Sequence, residues 1–278
     1  MPQLRLVDNG DLGSLHTMSI TNGFSLKFHG PWRWASVCTV MALTACGGGS
    51  AFDEVPSTLG NVVGAWKDST STRPTLVALI LPSGAYWAFY DATGGSAGFA
   101  QGNASATGTN FRAGTMEYPN GFDAYAVNVS AQMGSNRLTG TRSWSTGNNT
   151  GQQNFVLTPV LSSDFVAQQV QVGDLQGTWT GTLSGSSATL QVPSSSNGTF
   201  SGSGGSSSCN FEGTLSPQAN AYAFDVNLNF QTRCSLAGVT TTGVAVVYKI
   251  NGGSQKQLLM AVQNADRSKG WLFSATQP

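Results

Sequence analysis

The sequence "LGNVVGAW", Leu59 to Trp66, returns later in the chain as "VGDLQGTW", Val172 to Trp179. Both copies share an apolar residue, Gly, Asn or Asp, a second apolar residue, and then a Gly two positions before Trp. A phrase that recurs at wide spacing is typical of a chain that contains two copies of one structural unit. We therefore expect two domains with the same fold.

The composition indicates exported β-structure. Charged residues make up 9% of the 278 residues, against roughly 25% in an average soluble domain. Gly, Ser, Thr and Asn take the surface positions that Lys and Glu usually fill, and these residues favour turns and strands over helices. The formal net charge is zero, and the sequence has no Lys/Arg cluster. This charge pattern excludes the basic surface that nucleic-acid binding requires.

The similarity between the two halves extends past the tryptophans. "PTLVALILPSGAYWAFY" follows Trp66 and "SATLQVPSSSNGTFSG" follows Trp179. In each segment, two strand-forming runs flank a turn with Pro and Gly, which predicts a β-hairpin. Further on, "TNFRAGT" (109–115) matches "CNFEGT" (209–214), and "DAYAVNVS" from Asp123 matches "NAYAFDVNLNF" from Asn220. Matches in the same order favour an internal duplication.

These patterns predict an all-β fold with two tandem antiparallel meander units, each of roughly six to eight short strands. Alternation is clearest in "YAFDVNLNF" (222–230), where every second residue is large and apolar. A small β-barrel and a β-sandwich both fit this pattern. The predicted segments are an N-terminal extension with a signal peptide (1–45), a linker (46–57), a first β-domain (58–160), a second linker (161–171) and a second β-domain (172–278).

The N-terminal segment has the layout of an export signal. The basic residues Lys27 and Arg33 precede an apolar run that extends from Trp34 to Ala45. This run is too short to cross a bilayer of about 30 Å as a helix, but it fits the apolar region of a signal peptide.

The apolar run ends in Leu43-Thr44-Ala45-Cys46, which resembles the lipobox of bacterial lipoproteins. The resemblance implies cleavage before Cys46 and a covalent lipid on its thiol, with no other cofactor. An ordinary secretory signal, with Cys46 incidental, is the alternative.

The lipobox resemblance also implies a location. Several acyl chains on one residue anchor a protein stably to a membrane, and the glycines that follow Cys46 form a flexible tether. Gly47 at the position after the cysteine resembles the signal for outer-membrane sorting. We therefore expect a lipid-anchored protein of the bacterial cell envelope, at the outer membrane if the host has two membranes. An integral outer-membrane barrel is disfavoured because the strands separate into two repeat units.

The repeated Gly-x-Trp at the start of an all-β unit resembles lipocalins and streptavidin-like barrels. In these proteins Gly allows a tight bend, and Trp closes the floor of the barrel. In lipocalins a basic residue from the last strand packs over that Trp through a cation–π contact. The resemblance implies the pairs Trp66 with Arg142 and Trp179 with Arg267. Two tryptophans in the cores of unrelated β-sandwiches are the alternative.

The cysteines predict one disulfide. Cys38 is removed with the predicted signal peptide and Cys46 carries the lipid, which leaves Cys209 and Cys234. Two remaining cysteines outside the cytoplasm most simply pair with each other. A metal site is the alternative, but neither His nor a Cys-x-x-Cys motif accompanies them.

The sequence argues against catalysis. Both histidines, His16 and His29, precede Cys46, so the predicted mature chain has none. This excludes Ser-His-Asp and Cys-His catalysis and the common zinc sites. Two carboxylates can hydrolyse glycosides without His, but most acids lie in predicted turns. Asp225 lies within a strand, opposite in phase to the apolar face, and we expect it to be solvated. We therefore expect no enzymatic activity, catalytic residue or metal.

The aromatic cluster "AYWAFY" (85–90) suggests a binding function. Tyr86 and Tyr90 share one face of the predicted strand, and Trp87 and Phe89 share the other. One set contacts a ligand, or one set forms the core while the other covers an interface between the two units. We expect a non-enzymatic module that binds a small apolar ligand or an envelope protein. A structural or adhesin-like surface lipoprotein without a ligand is the alternative, and a carboxylate-based hydrolase is less favoured.

Overall fold

The computed structural model of the chain describes residues 59–68, 76–90, 97–119, 123–147, 149–161, 164, 170–204, 209–219, 221–234 and 237–277. The predicted signal peptide, Cys46 and the first linker lie outside these residues. Within the described part of the chain, no helix combines the length and the apolar character that a membrane crossing needs.

The first half of the chain forms a closed eight-stranded antiparallel barrel, here barrel 1. Each strand pairs with the next one in sequence, and β1 closes the barrel against β8 through Trp66 and Pro159. The strands are β1 (Gly64–Asp68), β2 (Leu76–Ile80), β3 (Ala85–Tyr90), β4 (Gly98–Thr107), β5 (Asn110–Pro119), β6 (Tyr125–Gly134), β7 (Arg137–Thr146) and β8 (Asn149–Pro159).

The second half forms a barrel of the same topology, here barrel 2. Its last strand closes against its first, with Phe273 beside Leu183. The strands are β9 (Gly177–Leu183), β10 (Ser186–Val192), β11 (Thr199–Gly204), β12 (Cys209–Pro217), β13 (Phe224–Phe230), β14 (Thr240–Ile250), β15 (Gln255–Asn264) and β16 (Gly270–Gln277). The predicted fold of two tandem antiparallel meander units is therefore confirmed, and the units are barrels.

The repeated tryptophan phrase builds the same start in both barrels. A short 3-10 helix, Leu59–Asn61 or Val172–Leu175, precedes the first strand. The indole N–H of Trp66 donates to the carbonyl of Val62 at 2.9 Å. The indole of Trp179 donates to Leu175 at 2.7 Å. A buried indole needs such a partner, and both tryptophans are buried core residues.

Glycine is required where each phrase turns into its strand. Gly64 has a φ of 135° and Gly177 a φ of 110°. These angles are sterically costly for residues with a Cβ. The two glycines therefore allow the chain to leave the 3-10 helix and enter the barrel.

Only part of the sequence similarity between the halves falls on equivalent strands. The predicted hairpins are β2–β3 and β10–β11, which are equivalent. However, "TNFRAGT" lies mainly on β5, the fifth strand of barrel 1, whereas "CNFEGT" lies on β12, the fourth strand of barrel 2. The following match, on β6 and β13, is displaced by one strand in the same way. Every half-buried strand alternates apolar and polar residues, so short matches slip easily from one strand to the next.

The two barrels pack against each other and form one compact unit. Outward side chains of β2, β3, β4 and β5 meet outward side chains of β14, β15 and β16. Large members of this interface are Leu79, Trp87, Phe89, Phe99, Tyr118, Val246, Tyr248, Leu259 and Leu272. These strands are apolar on both faces because one face fills a barrel and the other fills the interface.

Candidate functional site

Barrel 1 contains a cavity of about 880 Å³ in its interior. The cavity lies toward the end of the barrel at which β3 and β5 finish and β6 begins. Trp66 and its 3-10 helix lie at the other end. Its lining residues are Leu76, Tyr86, Ala88, Tyr90, Ala100, Thr115, Glu117, Pro119, Asp123, Ala124, Tyr125, Val127, Val129, Arg142, Thr146, Gln153, Phe155 and Leu157.

Small side chains explain why barrel 1 is hollow. Seven alanines belong to its described buried core, which are Ala78, Ala88, Ala100, Ala104, Ala106, Ala113 and Ala131, and the same core contains one phenylalanine, Phe111. The described core of barrel 2 has the opposite composition, with three alanines and five phenylalanines, which are Phe200, Phe211, Phe224, Phe230 and Phe273. Barrels of eight strands are just wide enough for side chains to fill them or for one small ligand. Side chains therefore fill barrel 2, whereas barrel 1 has room for one small ligand.

An ion pair with a buried carboxylate and a partly exposed arginine lies in the wall of the cavity. Glu117 on β5 is 2% exposed. Arg142 on β7 donates from Nη1 to both carboxylate oxygens of Glu117 at 3.0 Å. The hydroxyl of Tyr125 donates to Glu117 Oε1 at 2.9 Å, and Arg142 Nε donates to Gln153 Oε1 at 2.8 Å. The charge of each partner is thus neutralised within the cavity wall.

Aromatic rings surround this ion pair. The guanidinium carbon of Arg142 lies 5.8 Å from the ring centre of Tyr90 and 5.4 Å from that of Trp144. These distances are within the range of cation–π attraction. The two rings and the carboxylate of Glu117 therefore together hold the guanidinium in place.

The environment of the cavity disfavours ionised tyrosine. Burial, followed by the charge of the Glu117 carboxylate and the hydrogen bond to it, raises the pKa of Tyr125 to about 12, although the charge of Arg142 acts in the opposite direction. Burial also raises the pKa of Tyr86 and of Tyr90, and the Glu117 carboxylate adds to both shifts. The hydroxyl oxygen of Tyr90 is buried near Glu117 but makes no hydrogen bond of normal geometry with the described residues. These tyrosines therefore present neutral hydroxyl groups to the cavity.

The structure separates the four aromatic residues of "AYWAFY". Tyr86 and Tyr90 point into barrel 1 and line the cavity. Trp87 and Phe89 point outward into the interface with barrel 2, where the rings of Trp87 and Phe99 stack at 5.9 Å. The strand thus serves a cavity on one face and an interface on the other, which combines the two interpretations of the sequence.

The predicted pairing of each tryptophan with an arginine is wrong. The β8 partner of Trp66 is Pro159, whereas the β8 partner of Arg142 is Gln153. Six residues of strand separate these levels, about 20 Å. Arg142 also lies on β7 and not on the last strand of its barrel. It therefore stacks on Tyr90 and Trp144, far from the indole of Trp66.

Arg267 is likewise remote from Trp179. Thr180, the residue after Trp179, pairs with Thr276 at the end of β16, whereas Arg267 precedes the start of that strand. The two side chains lie toward opposite ends of barrel 2. The guanidinium of Arg267 instead donates to the backbone carbonyl of Gln101 at 3.1 Å, across the interface between the barrels.

Cys209 and Cys234 form the predicted disulfide. It connects the start of β12 with the turn that follows β13, and both cysteines pack against the core of barrel 2. Within the described residues, no three His, Cys, Asp or Glu side chains are grouped as metal ligands.

Sequence reasoning missed Glu117 and singled out Asp225. Asp225 is exposed on the outer face of β13. Glu117 shares the inward face of β5 with Phe111, Ala113 and Thr115. A carboxylate in phase with the apolar residues of "NFRAGTMEYP" (110–119) was the available signal that Glu117 is buried.

No family model matches this chain, and the curated proteins contain no match. The chain is similar to a crystal structure from Bacteroides fragilis NCTC 9343 that is described as a "putative outer membrane protein". The two are 13% identical, and the similarity covers 77% of this chain and 94% of the other, with a TM-score of 0.24. Similarity at this level assigns neither family nor function.

Proposed function

We propose that this protein is a lipid-anchored protein of the bacterial cell envelope that binds a small amphipathic molecule inside barrel 1, without catalysis. The cavity of about 880 Å³ is the observation that carries the ligand-binding part. Cavities of roughly 300–1,000 Å³ with apolar walls and a few polar groups are typical of small-molecule sites.

The arrangement of the lining residues indicates how the ligand lies. Val129 and Leu157 form apolar wall away from the mouth, whereas Glu117 and Tyr125 lie close to the strand ends at the mouth. An apolar chain in the interior gains the free energy of leaving water. The polar head then lies beside the hydrogen-bonding groups at the mouth.

Barrel 2 has a supporting role in this proposal. Its described interior is filled by large side chains, among them Trp179, Phe211 and Phe273. Its outer face packs against β2, β3 and β4, which form part of the cavity wall of barrel 1. Barrel 2 therefore supports these strands from outside and maintains the shape of the interior of barrel 1, which its small residues fill poorly.

The carboxylates of the cavity support a binding role over hydrolysis. A pair of carboxyl groups that hydrolyses glycosides needs one member free to donate a proton and the other free to attack or activate water. Both oxygens of Glu117 instead accept hydrogen bonds from Arg142, and one also accepts from Tyr125. Asp123, the other carboxylate of the lining, is exposed.

The N-terminal sequence and the disulfide support the location. The lipobox-like Leu43-Thr44-Ala45-Cys46 implies a lipid on Cys46, and the glycines after it suit a tether. The disulfide between Cys209 and Cys234 agrees with a compartment outside the cytoplasm. Gly47 favours the outer membrane in a host with two membranes.

Dye uptake tests the ligand-binding proposal. The neutral dye N-phenylnaphthylamine gains fluorescence in apolar sites, and we expect the purified chain to bind one molecule. Ala88 and Ala100 are cross-strand neighbours in the cavity wall, so Ala100→Phe fills the cavity and should abolish uptake. Thr139→Phe adds the same ring on an exposed position of β7 and is the matched control. Equal uptake by both variants contradicts the proposal and favours a protein that acts only through its outer surface.

Mass spectrometry of protein extracted from bacterial membranes tests the anchor. We expect the mature chain to begin at Cys46 and to carry acyl groups, and Cys46→Ser to leave the protein unlipidated. Recovery of an unmodified Cys46 from the wild-type chain contradicts lipid anchoring, although the ligand-binding proposal then still stands.

A further inference from the structure

We propose that the cavity of barrel 1 selects neutral amphiphiles, molecules with an apolar chain and an uncharged head such as an alcohol or an ester. This inference rests on the proposed function, because it names the class of ligand for the same cavity. The charges of the cavity wall and the unpaired hydroxyl of Tyr90 carry it.

The ion pair in the wall leaves no net charge for a charged head to neutralise. Arg142 lies 3.0 Å from both carboxylate oxygens of Glu117, so any anion beside the guanidinium also lies close to that carboxylate. Attraction to one partner is offset by repulsion from the other, while the ligand still loses the hydration of its charge. The same reasoning excludes a cationic head beside Glu117, because Arg142 repels it.

The other groups of the lining do not restore a preference for anions. Asp123 adds a negative charge to the rim that repels anions, and water and salt screen its attraction for a cation because the side chain is exposed. The polar groups that remain among the described lining residues are neutral: Tyr86, Tyr90, Thr115, Tyr125, Thr146 and Gln153. A head without charge is therefore the one that this lining accommodates at the lowest cost of desolvation.

Tyr90 supplies a hydrogen bond for such a head. Its hydroxyl oxygen is buried beside the Glu117 carboxylate but makes no hydrogen bond of normal geometry with the described residues. A Cβ on Gly98 would lie 2.5 Å from this oxygen, so the hydroxyl rests against the inner face of β4 only because residue 98 is glycine. A buried hydroxyl without a partner is costly. An alcohol or ester oxygen would satisfy it once the Tyr90 ring turns toward the cavity, because the oxygen is closed off in this structure.

Three probes with chains of ten carbons test the selectivity. Decanol is neutral, decanoate is an anion and decyltrimethylammonium is a cation, and each is titrated at neutral pH against the full chain loaded with N-phenylnaphthylamine. The measured quantity is the ratio of each ion's displacement constant to that of decanol, because this ratio cancels the contribution of the shared chain.

Single substitutions in the ion pair should change this ratio in opposite directions. Glu117→Gln leaves Arg142 without its carboxylate, and we expect decanoate to gain about tenfold relative to decanol. Arg142→Gln should produce the corresponding gain for decyltrimethylammonium. The double variant Glu117→Gln/Arg142→Gln contains no unpaired buried charge and should return to the wild-type preference for decanol. Glu212→Gln, on the exposed outer face of β12, is the matched control and should change nothing.

The outcomes separate this inference from the proposed function. If the wild-type chain binds the dye but prefers decanoate to decanol, or if Glu117→Gln leaves the ratio unchanged, the selectivity is wrong and the cavity remains a binding site. If a single variant fails to fold, the wild-type ratios and the double variant decide the question. If neither the dye nor any decyl probe binds the wild-type chain, both proposals fail.

Discussion

Arg142 and Glu117 join two strands of barrel 1 that are not neighbours. Glu117 is on β5 and Arg142 on β7, with β6 between them, and the guanidinium reaches the carboxylate at 3.0 Å on the inner side of the wall. The carboxylate is almost fully buried, whereas about a third of the arginine side chain is exposed. The buried carboxylate therefore connects the strands of the wall, whereas the partly exposed guanidinium borders the cavity.

Removing the arginine should destabilise barrel 1. Arg142→Met leaves the buried carboxylate of Glu117 hydrogen-bonded to the hydroxyl of Tyr125 but without its cationic partner, and loss of one partner of a buried pair costs about 3–5 kcal/mol. The partial exposure of Arg142 places the expected loss at the lower end. Urea denaturation measures it. The double variant Glu117→Gln/Arg142→Met should lose less than Arg142→Met alone, and an equal or larger loss contradicts this account.

The tyrosines of the cavity should make the protein sensitive to alkaline pH. The folded state raises the pKa of Tyr125 to about 12 from a usual value of 10.0, so the folded chain keeps a proton that the unfolded chain loses. Stability is then fully present below pH 10 and falls as the pH rises toward 12. Tyrosinate absorbance and circular dichroism during an alkaline titration measure both events. Tyr125→Phe should reduce the fall in stability. Ordinary titration of every tyrosine near pH 10 without unfolding contradicts the prediction.

The interior of barrel 2 should tolerate truncation poorly. Phe211 is 1% exposed and its ring contacts those of Phe230 and Phe273, each with ring centres 6.4 Å away. Phe211→Ala should therefore cost about 3–5 kcal/mol, the sum of lost burial and a new cavity. Val156→Ala, at an exposed position of β8, should cost little. Chemical denaturation of the two variants measures the difference.

The disulfide should contribute measurably to the stability of barrel 2. Cys209 and Cys234 are separated by 25 residues, and a loop of this size corresponds to roughly 3.5 kcal/mol in the chain-entropy model. The variant Cys209→Ser/Cys234→Ser should show this loss in urea denaturation. A reductant should destabilise the wild-type chain by the same amount and leave the variant unchanged. Sensitivity of the variant to the reductant would indicate another cause.

Close packing at the interface should make Gly270 intolerant of a side chain. A Cβ at this position would lie 2.4 Å from the Phe99 ring and 2.8 Å from that of Tyr118, both on the other barrel. Gly270→Val should therefore cost about 1–3 kcal/mol and should loosen the contact between the barrels. Thermal unfolding and small-angle scattering measure these effects. Gly114→Ala, with open space around its Cβ, is the matched control.

The sequence contains strong information on the fold and weaker information on the site. The phrase that ends in Trp66 and Trp179 predicts the starts of two similar units because it combines a required glycine with a buried indole. The interior of barrel 1 was not predicted, since a cavity arises from the summed volumes of residues on several strands. Ala88 and Ala100 are unremarkable singly, and they face each other only after the register of β3 and β4 is known.

The prediction of the arginine partners was wrong for the same reason, because it also depends on how distant strands are arranged. A motif indicates that Trp66 starts a barrel, but which basic residue reaches it depends on strand order and register. Arg142 was predicted to pack on Trp66, whereas it packs on the rings of Tyr90 and Trp144. The burial of Glu117 was visible in the alternation of β5, where it shares the face of Phe111. Local patterns thus predict which face a residue occupies better than which residue it meets.

Closure of both sheets has a consequence for how copies of this protein can coexist. In each barrel the first strand hydrogen-bonds to the last, β1 to β8 and β9 to β16. An open sheet presents a row of unpaired backbone groups that can recruit a strand from another molecule. Neither sheet offers such a template, so crowded copies can collide without polymerising edge to edge.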